Sequence, residues 1–233
     1  EFKEEKKEIK QDFKNERKEI LKEKTGLEKK EALNSIKNKK FEKLEENHQK
    51  FKEKMQVRRE KMKETIKENK EKLKEQLKDI RDERKKKVIE NTDNRLSTMN
   101  EKATNHFSEV LNRLEKILTK LTSRTDKAES NGHDVTAVRT SIKEAQDSIN
   151  SSRKAIETQA EKTYPIEITD EENLKENLSA ARKSLHGDLV NTRQTVKSAR
   201  ESVRVALTAL AKIPKVDELN ETATSTESAN TAQ

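Results

Sequence analysis

Beyond residue 94, apolar side chains return every three or four positions, the spacing that buries one face of an amphipathic helix. Leu96, Met99, Ala103, Val110, Leu114, Ile117 and Leu121 form the first such stripe and predict a helix over about 94–129. Ser130-Asn131-Gly132 supplies a stop, with Gly as the C-terminal breaker, and Asp134 is placed to cap the next helix. Val135, Val138, Ile142, Ala145, Ile149 and Ile156 carry a second helix over about 135–162, which Tyr164-Pro165 closes because proline disfavours helix at the residue before it. Thr169 and Glu172 have the spacing of a capping box. They precede the longest stripe, from Leu174 through Leu185, Val196, Val203 and Leu210 to Ile213, which predicts a third helix over about 170–212. Gly187 within it reads as a tolerated glycine. Three amphipathic helices with short connections predict a slim antiparallel three-helix bundle over 91–213, followed by a disordered polar tail at 214–233.

The first 90 residues follow a different rule. Phe13, Ile20, Leu27, Asn34 and Phe41 recur every seven positions, and His48, Met55 and Met62 continue the series. This is a heptad seam, half empty, because its companion positions include Glu16, Glu23, Lys30, Lys37 and Arg58. In that register Glu5, Asp12 and Glu19 precede Lys10, Arg17 and Lys24 by five residues, the spacing of salt bridges between parallel chains. The expectation is a long charged helix or parallel coiled-coil homodimer, with Asn34 as a register device. A single exposed helix with solvated charges fits the same pattern, since exposed pairs contribute only about 0.3–0.5 kcal/mol each. Thr25 and Glu28 form another capping box beside Gly26, where the helix can stop and restart. Ile66, Leu73, Leu77 and Ile80 resume one residue out of phase. Fully helical, 90 residues would span roughly 135 Å, so reach is the region's main physical asset.

Composition agrees with an all-α chain. Ala, Glu, Lys, Leu and Arg supply 122 of 233 residues, and three Gly and two Pro cannot build the corners of a sheet. Leu, Ile, Val and Phe number 46, too few for one large core, so each helix buries a narrow stripe. Charge is uneven: residues 1–90 carry 32 Lys and Arg against 23 Asp and Glu, a balance of +9, whereas the remainder carries 21 against 22, a balance of −1. A division near residue 91 is therefore expected.

Candidate chemistry is sparse. The absence of Cys removes disulfides, thiolate metal sites and Cys nucleophiles. His48, His106, His133 and His186 are scattered without metal-ligand spacing, and His133 beside Asp134 reads as an exposed turn residue. No Gly-rich phosphate loop occurs. Neither a catalytic site nor a cofactor or metal is expected. Arg81, Arg84, Lys85, Lys86 and Lys87 form the one concentrated anion-binding candidate. Acids interrupt the basic region at nearly every turn, and it holds no Tyr or Trp for stacking, which disfavours nucleic acid. An anionic membrane surface is disfavoured too, because the apolar face is narrow.

Arg95-Leu96, the turn from Asp126 to Val138 and the helix from Arg193 to Leu210 resemble uncharacterised helical proteins of candidate-phyla-radiation bacteria. In those, the first two helices meet at a Lys-x-x-x-x-Gly-x-Asp-x-Ser/Thr turn, here Lys127 to Thr136. The resemblance covers about residues 91–213 and implies an exported or envelope-associated chain, extracellular rather than cytoplasmic, with no functional residues to carry over. The sequence opens on Glu1 rather than Met, which fits either a processed chain whose upstream export signal has been removed or a fragment. The expected function is that of a helical spacer presenting a bundle to a protein partner, with electrostatic binding through the basic rod as the alternative.

Overall fold

The computed structural model describes residues 12–13, 15–16, 19–20, 22–23, 25–78, 80–168, 171–214, 216 and 218. Within that range, the side chains at 26, 27, 29, 30, 33, 34, 37, 40, 41, 44, 47 and 48 fall outside the description. Among the described residues the chain is all-helical, with no strand. Four long helices follow in order: α1 (Gly26–Leu77), α2 (Glu83–Ser130), α3 (Thr136–Ala160) and α4 (Leu174–Ala211). The described residues of 12–23 are helical as well, and Thr25 separates them from α1. The chain divides into two compact units between Lys54 and Met55.

In the first unit, Phe13, Ile36 and Phe51 are buried. Glu16 pairs with Lys39 at 3.6 Å, and the Lys43 ammonium stands 5.6 Å from the Phe13 ring centre. Lower numbers on the first segment thus meet higher numbers on α1, so the two helical stretches run antiparallel, turning at Thr25.

In the second unit α2, α3 and α4 each pack against the other two. Leu111, Ala145, Ile149, Ile156, Ala199 and Ala206 are fully buried there. The Ala residues let helix backbones draw close, and the Ser152 hydroxyl reaches across from α3 to donate to the Thr195 carbonyl of α4 at 2.7 Å. At 25 residues α3 is about 38 Å long, roughly half the span of the 48-residue α2. The stretch of α2 that α3 does not reach is covered instead by the end of α1: Leu73, Leu77 and Ile80 join Ile89, Leu96, Ile166, Leu174 and Leu185 in one apolar cluster. Arg59 of α1 donates to Asn105 of α2, and Arg58 pairs with Glu157 and Glu161, both at 3.1 Å.

The boundary expected near residue 91 falls inside α2. Asp82 starts that helix, its carboxylate accepting from the amides of Arg84 and Lys85 at 2.8 and 3.4 Å. The break at 78–82 carries neither Gly nor Pro. What makes it favourable is tertiary: it turns the apolar face of α1 onto that of α2. Residues Met55–Leu77 accordingly belong to the second unit, whereas a free rod would have left them in solvent.

At the other end of α2, Gly132 takes a φ of 86° and donates to the Glu129 carbonyl, while the His133 amide donates to Ala128, both at 3.1 Å. That pair of bonds is the Schellman stop, and it needs glycine at the left-handed position. The Asp134 carboxylate accepts from the Thr136 amide at 2.9 Å, and hydrogen bonding to the Thr136 side chain and amide holds its pKa below the ordinary value. α3 ends at Ala160, two residues before its expected limit. α4 begins at Leu174, later than expected, with the Asn173 carbonyl accepting from Glu176 and Asn177 at 3.0 Å. Thr169 of the expected capping box lies outside the described residues. Gly187 sits within unbroken helix, and a Cβ there would meet nothing within 4 Å. Of the tail expected to be disordered, Pro214, Val216 and Glu218 are described, and the last two are bonded through their carbonyls to the turn between α2 and α3.

Candidate functional site

Two polar networks lie inside the second unit. In the first, Arg153 of α3 donates from one terminal nitrogen to Glu115 of α2, and to Asn112 at 3.2 Å. The Arg153 and Glu115 side chains are only 5% and 11% exposed, so the pair is held in low dielectric. Such a pair is costly to desolvate and works chiefly as a register constraint, because a slip of α3 along α2 would strand both charges.

The second network closes α3 where its partner changes. The Asn100 amide of α2 donates to the carbonyls of Gln159 and Lys162, both at 3.1 Å, satisfying acceptors that a helix end leaves open. The Gln159 amide donates to Asn100 at 2.8 Å and to the Tyr164 hydroxyl at 2.8 Å. Tyr164 in turn donates to Asp188 of α4 at 2.7 Å, and Lys162 pairs with Asp188 at 2.8 Å. Burial and the bond to Asp188 push the Tyr164 hydroxyl pKa well up. The bonds from Lys162 and Tyr164 hold the Asp188 carboxyl below its ordinary value. Each group in the network has a partner within the protein, so the arrangement fastens α2, α3 and α4 together.

The predicted seam is placed only in part. Phe13 is buried and Ile20 half-buried, while the side chains of Leu27, Asn34 and Phe41 lie outside the description. Of the predicted inter-chain charges, Asp12 and Glu19 are exposed, and Glu5, Lys10, Arg17 and Lys24 lie outside the described residues. Asp12, Phe13, Glu16, Lys39, Glu42, Lys43 and Glu46 line an open groove of about 550 Å³ within the first unit, charged on both walls.

Arg81, Arg84, Lys85, Lys86 and Lys87 do gather at the start of α2. Lys85 is bound to Glu171 at 2.7 Å, which raises its pKa, and Lys86 to Glu83 at 2.7 Å. Two of the five bases, Lys85 and Lys86, thus face carboxylates within the chain before any external anion arrives.

Among the described residues no group of three or more His, Asp or Glu is disposed to hold a metal ion. No helix among them is long and apolar enough to cross a membrane. His133 is not simply an exposed turn residue: its Nε2 bonds the Glu218 carbonyl at 2.9 Å. No protein-family model matches the chain, and no curated protein or solved structure matches it either.

What the described surface does offer is apolar area. Val88, Met99 and Ile117 on α2 are 52%, 53% and 39% exposed. Their separations of 11 and 18 residues are close to whole numbers of helical turns, so they lie along one line of the helix. Val190, Val205 and Leu207 are exposed on α4. Sequence periodicity had assigned Met99 and Ile117 to the buried stripe. A helix buried along only part of its girth leaves the rim of that stripe in water, and periodicity alone does not distinguish rim from centre.

Proposed function

We propose that the chain is a structural, protein-interaction component, exported or envelope-associated in a bacterium. In this reading α2, α3 and α4 form a three-helix bundle that presents a face to another protein, and the charged N-terminal helical region serves as a spacer. The observation that carries it is the line of exposed apolar residues Val88, Met99 and Ile117 along the rim of the buried stripe of α2. The internal satisfaction of the polar networks adds support, since groups committed to fastening helices are not poised for catalysis. The placement at an envelope rests on the resemblance of residues 91–213 alone.

A parallel homodimer through Phe13, Ile20, Leu27, Asn34 and Phe41 would have to displace Lys39 and Lys43 from the first segment, so the intrachain contacts support a monomeric spacer. Electrostatic binding of nucleic acid or anionic lipid is the competing reading, and the carboxylate partners of Lys85 and Lys86 weigh against it. Titrating the full chain with duplex DNA and with anionic vesicles, each at low and physiological salt, separates the two. The expected result is weak binding in every arm. Tight binding at low salt that falls steeply as salt rises would replace the interaction-protein reading with the electrostatic one.

A further inference from the structure

Beyond α4 the chain returns to the turn between α2 and α3. The Asn131 side-chain amide donates to the Val216 carbonyl at 3.1 Å, and His133 Nε2 bonds the Glu218 carbonyl at 2.9 Å. A carbonyl oxygen only accepts, so Nε2 carries the proton, and the bond is available to the neutral ring and to the imidazolium alike. Val216 is itself buried, at 9% exposure, close to the end of α4. The turn beneath is rigid: the Schellman bonds fix Gly132 and His133, and the Asp134 cap fixes the entry to α3. Asn131 and His133 therefore hold two donors at a set separation, beside a place that excludes one small branched side chain from water.

We propose that this turn is a docking seat for a peptide segment, reading two backbone carbonyls two residues apart and one buried branched apolar side chain, and that its occupant is the chain's own Val216–Glu218 region, held reversibly. The two carbonyls supply position without sequence preference, and Val216 supplies the selectivity. Few residues separate this region from Ile213, so the covalent link gives it an effective concentration on the order of millimolar or above. The seat is thus filled within the chain, and a free peptide must compete at similar concentration. Opening it uncovers the two donors.

The test uses the full isotope-labelled chain with Val216→Asp and a synthetic peptide of residues 213–219, followed by NMR at the Asn131 side-chain amide and the His133 ring. Val216→Asp is expected to shift both signals, and the peptide to return them toward their wild-type positions saturably at millimolar concentration. The wild-type chain, and a peptide carrying Asp in place of Val216, should respond at least about tenfold more weakly. Signals unmoved by Val216→Asp, or a peptide that acts equally on both proteins or on neither, would overturn the proposal. If Val216→Asp lowers helix content by circular dichroism, Val216→Ser carries the same comparison.

Discussion

Over its 38 residues α4 buries nine side chains, one for nearly every turn, and Ala181, Ala199 and Ala206 are among them. Of the described side chains of α1, a longer helix of 52 residues, Ile36, Phe51, Met55, Leu73 and Leu77 are buried. Between Met55 and Leu73 none is, although Met62 and Ile66 fall at helical spacing and reach half-burial. Both helices satisfy the same backbone ladder. Their difference teaches that period alone does not decide burial: it takes an apolar residue at each turn, with small ones where two backbones must approach. The described turns of α1 between its buried residues offer charged or only half-buried apolar side chains, and the helix is held by its last two turns and by Arg58 and Arg59.

The sharpest way to break this comparison is the buried pair, which among the described residues lies in the second unit. Glu115→Ala strands the Arg153 guanidinium inside and is expected to cost about 3–5 kcal/mol in chemical denaturation, whereas Glu115→Leu with Arg153→Met should recover most of that loss. A double variant as unstable as the single one would remove the register role given to the pair.

Next is the apolar stripe. Ile149→Ala, at a fully buried position of α3, should cost about 2–5 kcal/mol. Ile36→Ala, in the unit that ends at Lys54, should leave the main unfolding transition where it is. Equal effects of the two would erase the distinction between tightly and sparsely held helices.

The smallest effect is confined to alkaline pH. Tyr164 has its hydroxyl pKa raised above 10.0 by burial and by the bond to Asp188, so its neutral form is favoured in the fold. The stability it gives is complete below pH 10 and lost as pH rises through the higher folded value. It is the sole tyrosine, and the chain has no Trp, so near-ultraviolet absorbance follows this one group. The ionised signal should be delayed beyond pH 10 until the protein unfolds. Tyr164→Phe should flatten the fall in thermal midpoint above that pH, and an ordinary tyrosine titration in the folded protein would contradict the network's geometry.

Much of the helical order was legible in advance, because an apolar stripe with its punctuation is a local signal. Gly132 and Asp134 marked the α2–α3 turn, and Pro165 marked the α3–α4 connection. The start of α2 at Glu83 was not read, although Asp82 is a sound capping residue, because the same charged composition runs across the break. Leu73, Leu77 and Ile80 pair with Ile89 and Leu96 through space, and spacing along one strand of sequence does not encode that pairing. The contacts of Asn100 with Lys162, of Tyr164 with Asp188, and of Asn131 and His133 with Val216 and Glu218 were illegible for the same reason: each joins residues between 24 and 85 positions apart. The anion-binding candidate was legible as a run of bases. The pairing of Lys85 with Glu171 depends on where the loop before α4 comes to rest.

Because α2 changes neighbours along its length, it has no bare end to spare. A chain shortened to begin at Asp82, the start of α2, would strip Leu73, Leu77 and Ile80 away and turn Ile89 and Leu96 toward water. Such a piece would keep its helices yet gain a sticky flank, and its solubility would suffer before its secondary structure did.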